Sequence, residues 1–193
     1  MYAPISRAVQ RFGTSELFSL QSLDDGLSVT ERDLATIVEC CNEPLIYRYL
    51  FNDPLNGRAY TVDDARIFVD WARRGWREHR YFVFLIKDSH KKIVGYVDIS
   101  SDILSNSPIG YWVTDSIRGI MTNALNCLME IAREAGYLKL FALVEPDNTR
   151  STRLLERLGF IHTGSPIEEV TFLGKPTGKR CVFDCYEKEL VVE

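Results

Sequence analysis

Two short stretches carry residue types and spacings suited to binding chemistry. The first runs Ile109-Gly110-Tyr111-Trp112-Val113-Thr114-Asp115-Ser116-Ile117-Arg118-Gly119-Ile120-Met121-Thr122. Its start reads as a buried strand and its end as a helix entrance, with a short loop between. The first N–H groups of a helix lack intrahelical partners, and with the helix dipole they form an anion site suited to a pyrophosphate. Gly119 removes a side chain where a phosphate would approach. The second stretch is Glu145-Pro146-Asp147-Asn148-Thr149-Arg150-Ser151, followed by Leu154-Leu155-Glu156-Arg157-Leu158-Gly159-Phe160. Asn148 is a fitting N-cap, Ser151 falls in the exposed first turn, and Gly159-Phe160 closes the helix and returns the chain to the sheet. Taken singly, each stretch is also what an ordinary helix start requires. His162 could act as a base, but a lone histidine on a strand is more often structural.

The elements around these stretches follow from periodicity and caps. A short strand is expected around Leu17–Leu20. Thr30-Glu31-Arg32-Asp33 caps a helix through Cys41, and Asn42-Glu43-Pro44 restarts one with Pro in its first turn. Thr61 with Asp64 opens a further helix whose stripe is Ala65, Phe68, Ala72 and Trp76. Tyr81–Ile86 and Ile93–Ile99 form a hairpin, and Ile109–Thr114 is a third strand. A helix follows from about Ile120 to Ala135, with Gly136 as its C′ residue. Leu138–Val144 is nearly unbroken apolar sequence, the pattern of a strand covered on both faces. After the helix Thr149–Leu158 come two late strands, Ile167–Leu173 and Arg180–Lys188. The strand–helix–strand unit in the middle requires a right-handed parallel crossover. The fold class is therefore α+β, with a mixed sheet that is antiparallel at its ends and parallel at its centre. No Gly-x-Gly-x-x-Gly turn is present, which excludes a Rossmann site.

The 193 residues suit one domain spanning the chain. A hydrophobic fraction of 46% and a charged fraction of 26% exclude intrinsic disorder. The net charge of −4 argues against nucleic acid as a partner, since that demands a basic surface. The first residues have no signal-peptide core and no stretch approaches the length of a membrane span. Five cysteines without a Cys-x-x-Cys pair give no disulfide framework and no metal site, and suit a reducing, cytoplasmic setting.

Gly-Tyr-Trp before a loop and helix, then Pro-Asp-Asn-x-x-Ser and Leu-Glu-x-Leu-Gly-Phe, resembles the GNAT superfamily of N-acetyltransferases, and within it the ribosomal-protein alanine N-acetyltransferases. The resemblance covers about Tyr81 to Tyr186. It implies acetyl-CoA as co-substrate and an amine acceptor, either a protein N-terminus or a small molecule. It also implies helices flanking the sheet and a central strand pair that splays apart beyond Val113 and Val144, with the pantetheine arm in the gap beside the backbone of Trp112 and Val113. The pyrophosphate would rest on the backbone of Ile117, Arg118, Gly119, Ile120 and Met121. In the family loop Ser116 stands where Arg or Gln is usual, Met121 where a small residue is usual, and the loop is shorter. Asn148 would reach the pantetheine amide. Arg150 and Arg153 would meet the adenosine phosphate or simply solvate their helix face.

The chemistry so implied is direct attack of an amine on the thioester. Val113 N–H would be the oxyanion donor. Leu155 replaces the Tyr that many relatives use to protonate the thiolate, and Ser151 takes that role. Glu145, or Glu168 and its neighbour Glu169, would receive the amine proton through water. The substrate region is placed at 33–60, with Tyr47, Tyr49, Phe51 and Tyr60, although such an aromatic stripe is mostly core. A catalytically silent relative that binds coenzyme or a partner remains the alternative, and the oligomeric state is open.

Overall fold

The computed structural model describes residues 4–190. The elements, in chain order, are β1 (Ser6–Gln10), β2 (Leu17–Ser22), α1 (Glu31–Cys41), α2 (Pro44–Ile46) running into a π-helical turn (Tyr47–Phe51), α3 (Val62–Glu78), β3 (Phe82–Lys87), β4 (Ile93–Ile99), β5 (Ser107–Val113), α4 (Met121–Glu134), β6 (Lys139–Val144), α5 (Thr149–Arg157), β7 (Ile161–Gly164), β8 (Ile167–Phe172), β9 (Lys175–Val182) and β10 (Asp184–Glu189). Both expected capping boxes form: the Thr30 and Thr61 hydroxyls accept the N–H groups of Asp33 and Asp64, whose carboxylates return to the cap backbone. Asp64 is buried and takes both guanidinium nitrogens of Arg58 at 2.6 and 2.7 Å, which holds its carboxyl down at about 2.

Among the described residues eight strands make one sheet in the order β1-β2-β3-β4-β5-β6-β10-β7, and only β5 and β6 run parallel. The alternation of β3 explains the layering. Val83 and Leu85 face α1 and α3 with Leu23, Ile37, Phe68 and Trp112, whereas Phe84 and Ile86 face α4 and α5 with Ile120, Leu125, Leu128 and Leu155. All four of these β3 side chains are fully buried, and each such burial stabilises the fold by about 1.5–3 kcal/mol. This is the α+β architecture read from the sequence.

Three details differ. Strands at Ser6–Gln10 and Ile161–Gly164 were not expected; both are sheet edges with one or no buried side chain, so no apolar alternation marks them. The expected strand Arg180–Lys188 is two strands broken at Phe183: β9 pairs with β8 in a separate ribbon, while β10 enters the main sheet between β6 and β7. Third, β6 is buried on one face only. Leu140, Ala142 and Val144 are buried, while Leu143 on the other face is exposed, because on that side α1 and α3 lie over β4 and β3 and leave β6 uncovered; Leu138, also exposed, lies just before the strand, which begins at Lys139.

Candidate active site

The parallel pairing of β5 with β6 is short: the register holds at Ser107↔Leu140 and Pro108↔Phe141 and then stops. Each strand stays zipped to its outer neighbour, β5 to β4 as far as Gly95↔Val113 and β6 to β10 as far as Val144↔Asp184. A gap therefore opens between Val113 and Val144. Thr114 N–H donates to Val94 O at 2.9 Å, so alternation along the strand turns the main-chain groups of Trp112 toward β4 and those of Val113 toward the gap. Gly95 permits this close approach, since a Cβ there would sit 2.6 Å from Trp112 O. The Trp112 indole is buried on the α1/α3 side. Of the two residues expected beside the pantetheine, only Val113 presents backbone to the gap.

The loop from β5 into α4 is held from two sides. The Glu43 carboxylate takes the Thr114 hydroxyl and, at 2.7 Å, the Asp115 N–H. From the opposite side the β1–β2 turn takes the loop's carbonyls: Phe12 N–H donates to Gly119 O at 3.1 Å and Arg11 Nε to Arg118 O at 2.7 Å. Gly119 adopts φ +85°, a left-handed conformation that a side chain would strain. Among the described residues no side chain caps α4. Its first-turn N–H groups are left free for an anion, as a coenzyme pyrophosphate requires. Ile120 and Met121 bury their side chains in the core, so the bulk of Met121 does not obstruct that seat. Ile117 packs partly against the core and Arg118 is exposed.

Across the gap, Asn148 Oδ1 accepts the Ser151 N–H at 3.2 Å and caps α5. The Ser151 hydroxyl meets the phenol of Tyr111, from β5, at 2.5 Å. Burial pushes that phenol up to about 12, against a smaller opposing effect of the Ser151 bond. Arg150 forms an ion pair with Asp115 at 2.5 Å, so it is engaged with the β5–α4 loop. Arg153 is exposed one turn along, and Leu155 is fully buried.

Glu145 follows β6 directly and is half-buried; burial raises its carboxyl, Asp147 and Asp53 add to the rise, and Arg48 opposes it. Asp147 pairs with Arg48, and Asp53 accepts Lys179 at 3.4 Å. Glu168 lies on the β8–β9 ribbon and is exposed, in register with Cys181, whose thiol stands 3.8 Å from Asp53 Oδ2. Glu169 instead accepts the Gly178 N–H. His162 is on the edge strand β7, against Tyr186 and 3.4 Å from Asp184, with β10 and β6 between it and the gap. Among the aromatics of 33–60, Tyr60 is buried against Phe51 and Tyr47 bonds Arg58 O, while Tyr49 reaches toward Asp147 O at 3.4 Å. Sequence reasoning missed Tyr111, Glu43 and Asp115 as parts of the site. For Tyr111 the signal was its place two residues before Val113, on the same face of β5.

Residues 27–161 match the acetyltransferase (GNAT) domain family. The chain belongs to the GNAT acetyltransferases. As a member it is an acetyl-CoA-dependent N-acetyltransferase, moving an acetyl group onto an amine. No curated protein matches it. Among solved structures, this GNAT chain resembles Mycobacterium smegmatis RimJ in complex with CoA-disulfide (TM-score 0.72, 20% identity, 95% of this chain and 86% of that one). It also resembles a Salmonella typhimurium acetyltransferase that modifies the N-terminal serine of ribosomal protein L7/L12 (TM-score 0.67, 17% identity, 91% and 96% coverage). A third is a Vibrio cholerae spermidine N-acetyltransferase in complex with CoA and spermine (TM-score 0.65, 17% identity, 90% and 95% coverage). At these identities the likeness is one of fold.

Proposed function

We propose that this GNAT domain acetylates the α-amino group of a protein N-terminus, with the reaction centred in the gap between Val113 and Val144. One observation carries the reading: Val113 presents its main-chain N–H from one wall of the gap, and α5 sets the Ser151 hydroxyl on the other. Acetyl-CoA supplies the thioester. Its pyrophosphate is held by the backbone from Ile117 to Met121, its pantetheine arm by Val113 and the Asn148 amide, and its adenosine phosphate by Arg153.

The neutral amine attacks the thioester carbonyl carbon, and the oxygen that gains charge is stabilised by Val113 N–H. Collapse breaks the C–S bond, Ser151 gives its proton to the departing thiolate, and water returns to Ser151 the proton that the nitrogen sheds, so that the products are the amide and the free coenzyme thiol. The nitrogen loses its extra proton through water to Glu145, whose raised affinity for protons suits a base. An α-amine titrates near 8, so a useful fraction is neutral without a strong base; a lysine near 10.4 would demand more. Arg48 and Lys179 offset Asp147 and Asp53 in part, and Glu145, with Glu168 as a further carboxylate on the ribbon, leaves this end net negative toward an incoming ammonium. We also place the protein in the cytoplasm, where its five free cysteines stay reduced. Among the described residues no helix is long and apolar enough to cross a membrane.

The test is a mass-spectrometric screen of peptides with free and with blocked N-termini, alongside polyamines, each with acetyl-CoA. Acetylation of free N-termini, lost on blocking, supports the reading. Transfer to polyamines alone would replace it with a small-amine acceptor.

A further inference from the structure

We propose that Tyr111 is a positioning residue for the reaction: its phenol donates a hydrogen bond to Ser151 across the gap and so frees the Ser151 proton to face the departing sulfur. The inference rests on the reading of Ser151 as proton donor. A serine hydroxyl has one hydrogen and two lone pairs and rotates freely about its Cβ–Oγ bond. In the first turn of a helix that hydrogen can turn to a nearby carbonyl, where it does nothing for chemistry. Here the two ends of Ser151 are fixed separately. Its N–H is bound to Asn148 Oδ1 at 3.2 Å, and its Oγ stands 2.5 Å from the Tyr111 hydroxyl, a contact between residues forty apart in sequence.

The direction of that bond follows from the two hydroxyls. A phenol is a better proton donor than an aliphatic alcohol, and Tyr111 stays protonated at every working pH because burial pushes it up to about 12. With Tyr111 donating, a Ser151 lone pair is occupied and the Ser151 hydrogen points elsewhere. Accepting a hydrogen bond also polarises Ser151 O–H, since successive hydrogen bonds strengthen one another. Tyr111 shares its strand face with Val113, and both pack against the α4-side core. The same strand thus orients the proton donor by a side chain and the oxyanion donor by its backbone. Tyr111 keeps its own proton throughout and touches no reacting atom.

The test is a double-mutant cycle of Tyr111→Phe and Ser151→Ala in the full chain, read by turnover, by calorimetric titration of coenzyme A and by melting temperature. Tyr111→Phe keeps the ring and its packing and removes only the hydroxyl. It should lower kcat by about threefold to tenfold, less than an irreplaceable acid's loss of ~10²–10⁴, with coenzyme affinity unchanged. Ser151→Ala should lower kcat at least as far, and the double variant should be no slower than Ser151→Ala. If the two losses multiply, Tyr111 acts independently of Ser151 and the inference is overturned. If Tyr111→Phe keeps full turnover while Ser151→Ala loses it, the inference falls and the Ser151 reading stands. Full turnover in Ser151→Ala removes Ser151 as the acid, and the inference with it. A difluorinated tyrosine at 111 gives a second readout, because its hydroxyl ionises at lower pH. Activity should then fall on the alkaline side at a lower pH than in the wild type, and an unmoved profile would overturn the inference.

Discussion

Replacing Gly95 with alanine should damage catalysis from a position that touches no substrate. A Cβ at residue 95 would lie 2.6 Å from Trp112 O and 3.2 Å from Val113 Cα, where real Cβ contacts essentially never fall below 3.0 Å. Both neighbours are backbone, so β4 and β5 must part by at least 0.4 Å at the mouth of the gap. Overpacking of this kind costs about 1–3 kcal/mol. At about 2–4 °C per kcal/mol for a chain of this size, the melting temperature should fall by roughly 2–12 °C. The same displacement moves Val113 N–H. If about 1 Å of misplacement costs ~10²-fold, 0.4 Å costs roughly sixfold in kcat when scaled in free energy. Coenzyme affinity should fall less than kcat, because the α4 amides lie beyond the clash and only the pantetheine contact at Val113 moves. The assay is a thermal melt, a calorimetric coenzyme titration and steady-state turnover on one preparation. A folded Gly95→Ala protein with wild-type melting temperature and wild-type kcat would refute the argument that the β4–β5 pairing sets Val113.

Other substitutions separate binding from stability. Gly119→Glu should weaken coenzyme binding more than Gly119→Ala, because both meet the strain of φ +85° but only Glu adds a negative charge at the pyrophosphate seat; equal affinities in calorimetry would dismiss that seat. Asn148→Ala should cost about 1 kcal/mol of stability through the lost cap and also raise the coenzyme Kd; a stability loss with unchanged Kd would leave Asn148 a cap only. Asp98 is buried on β4 between the Ser100 hydroxyl and the Gly110 N–H, and burial pushes its carboxyl up to about 6. The folded protein therefore holds a proton there that the unfolded chain releases near pH ~4. Stability from this group falls as pH rises between about 4 and 6, by about 3 kcal/mol in all. Asp98→Asn should remove that slope from melting temperatures measured across the window, and a slope identical to wild type would count against a buried ionising Asp98.

Much of this was legible where local chemistry decides structure. Thr30 with Asp33 and Thr61 with Asp64 announced two helices through caps that depend only on neighbours in sequence. Asn148 and Ser151 were legible for the same reason, since cap and first turn lie three residues apart. The edge strands β1 and β7 were not, because they bury too little to show a period. Phe183 breaks β9 from β10 with neither Gly nor Pro to mark it, and the break is set by which partner each half finds. Within the site, the missed contacts are long-range. Glu43 reaches Thr114 and Asp115 only once α2 docks against the end of β5, and Tyr111 reaches Ser151 only across a gap made by two diverging strands. Leu143 reads as core because nothing in its own sequence says that the helices of that face stop short of β6.

The most direct measurement is acetyl transfer itself, followed by mass spectrometry on a peptide with a free N-terminus, incubated with acetyl-CoA and the wild-type protein. The account predicts one acetyl group on the α-amine, together with one free coenzyme A thiol per transfer. Tight binding of acetyl-CoA with no transfer to any peptide or amine in the screen would contradict it and leave a coenzyme-binding protein without catalysis.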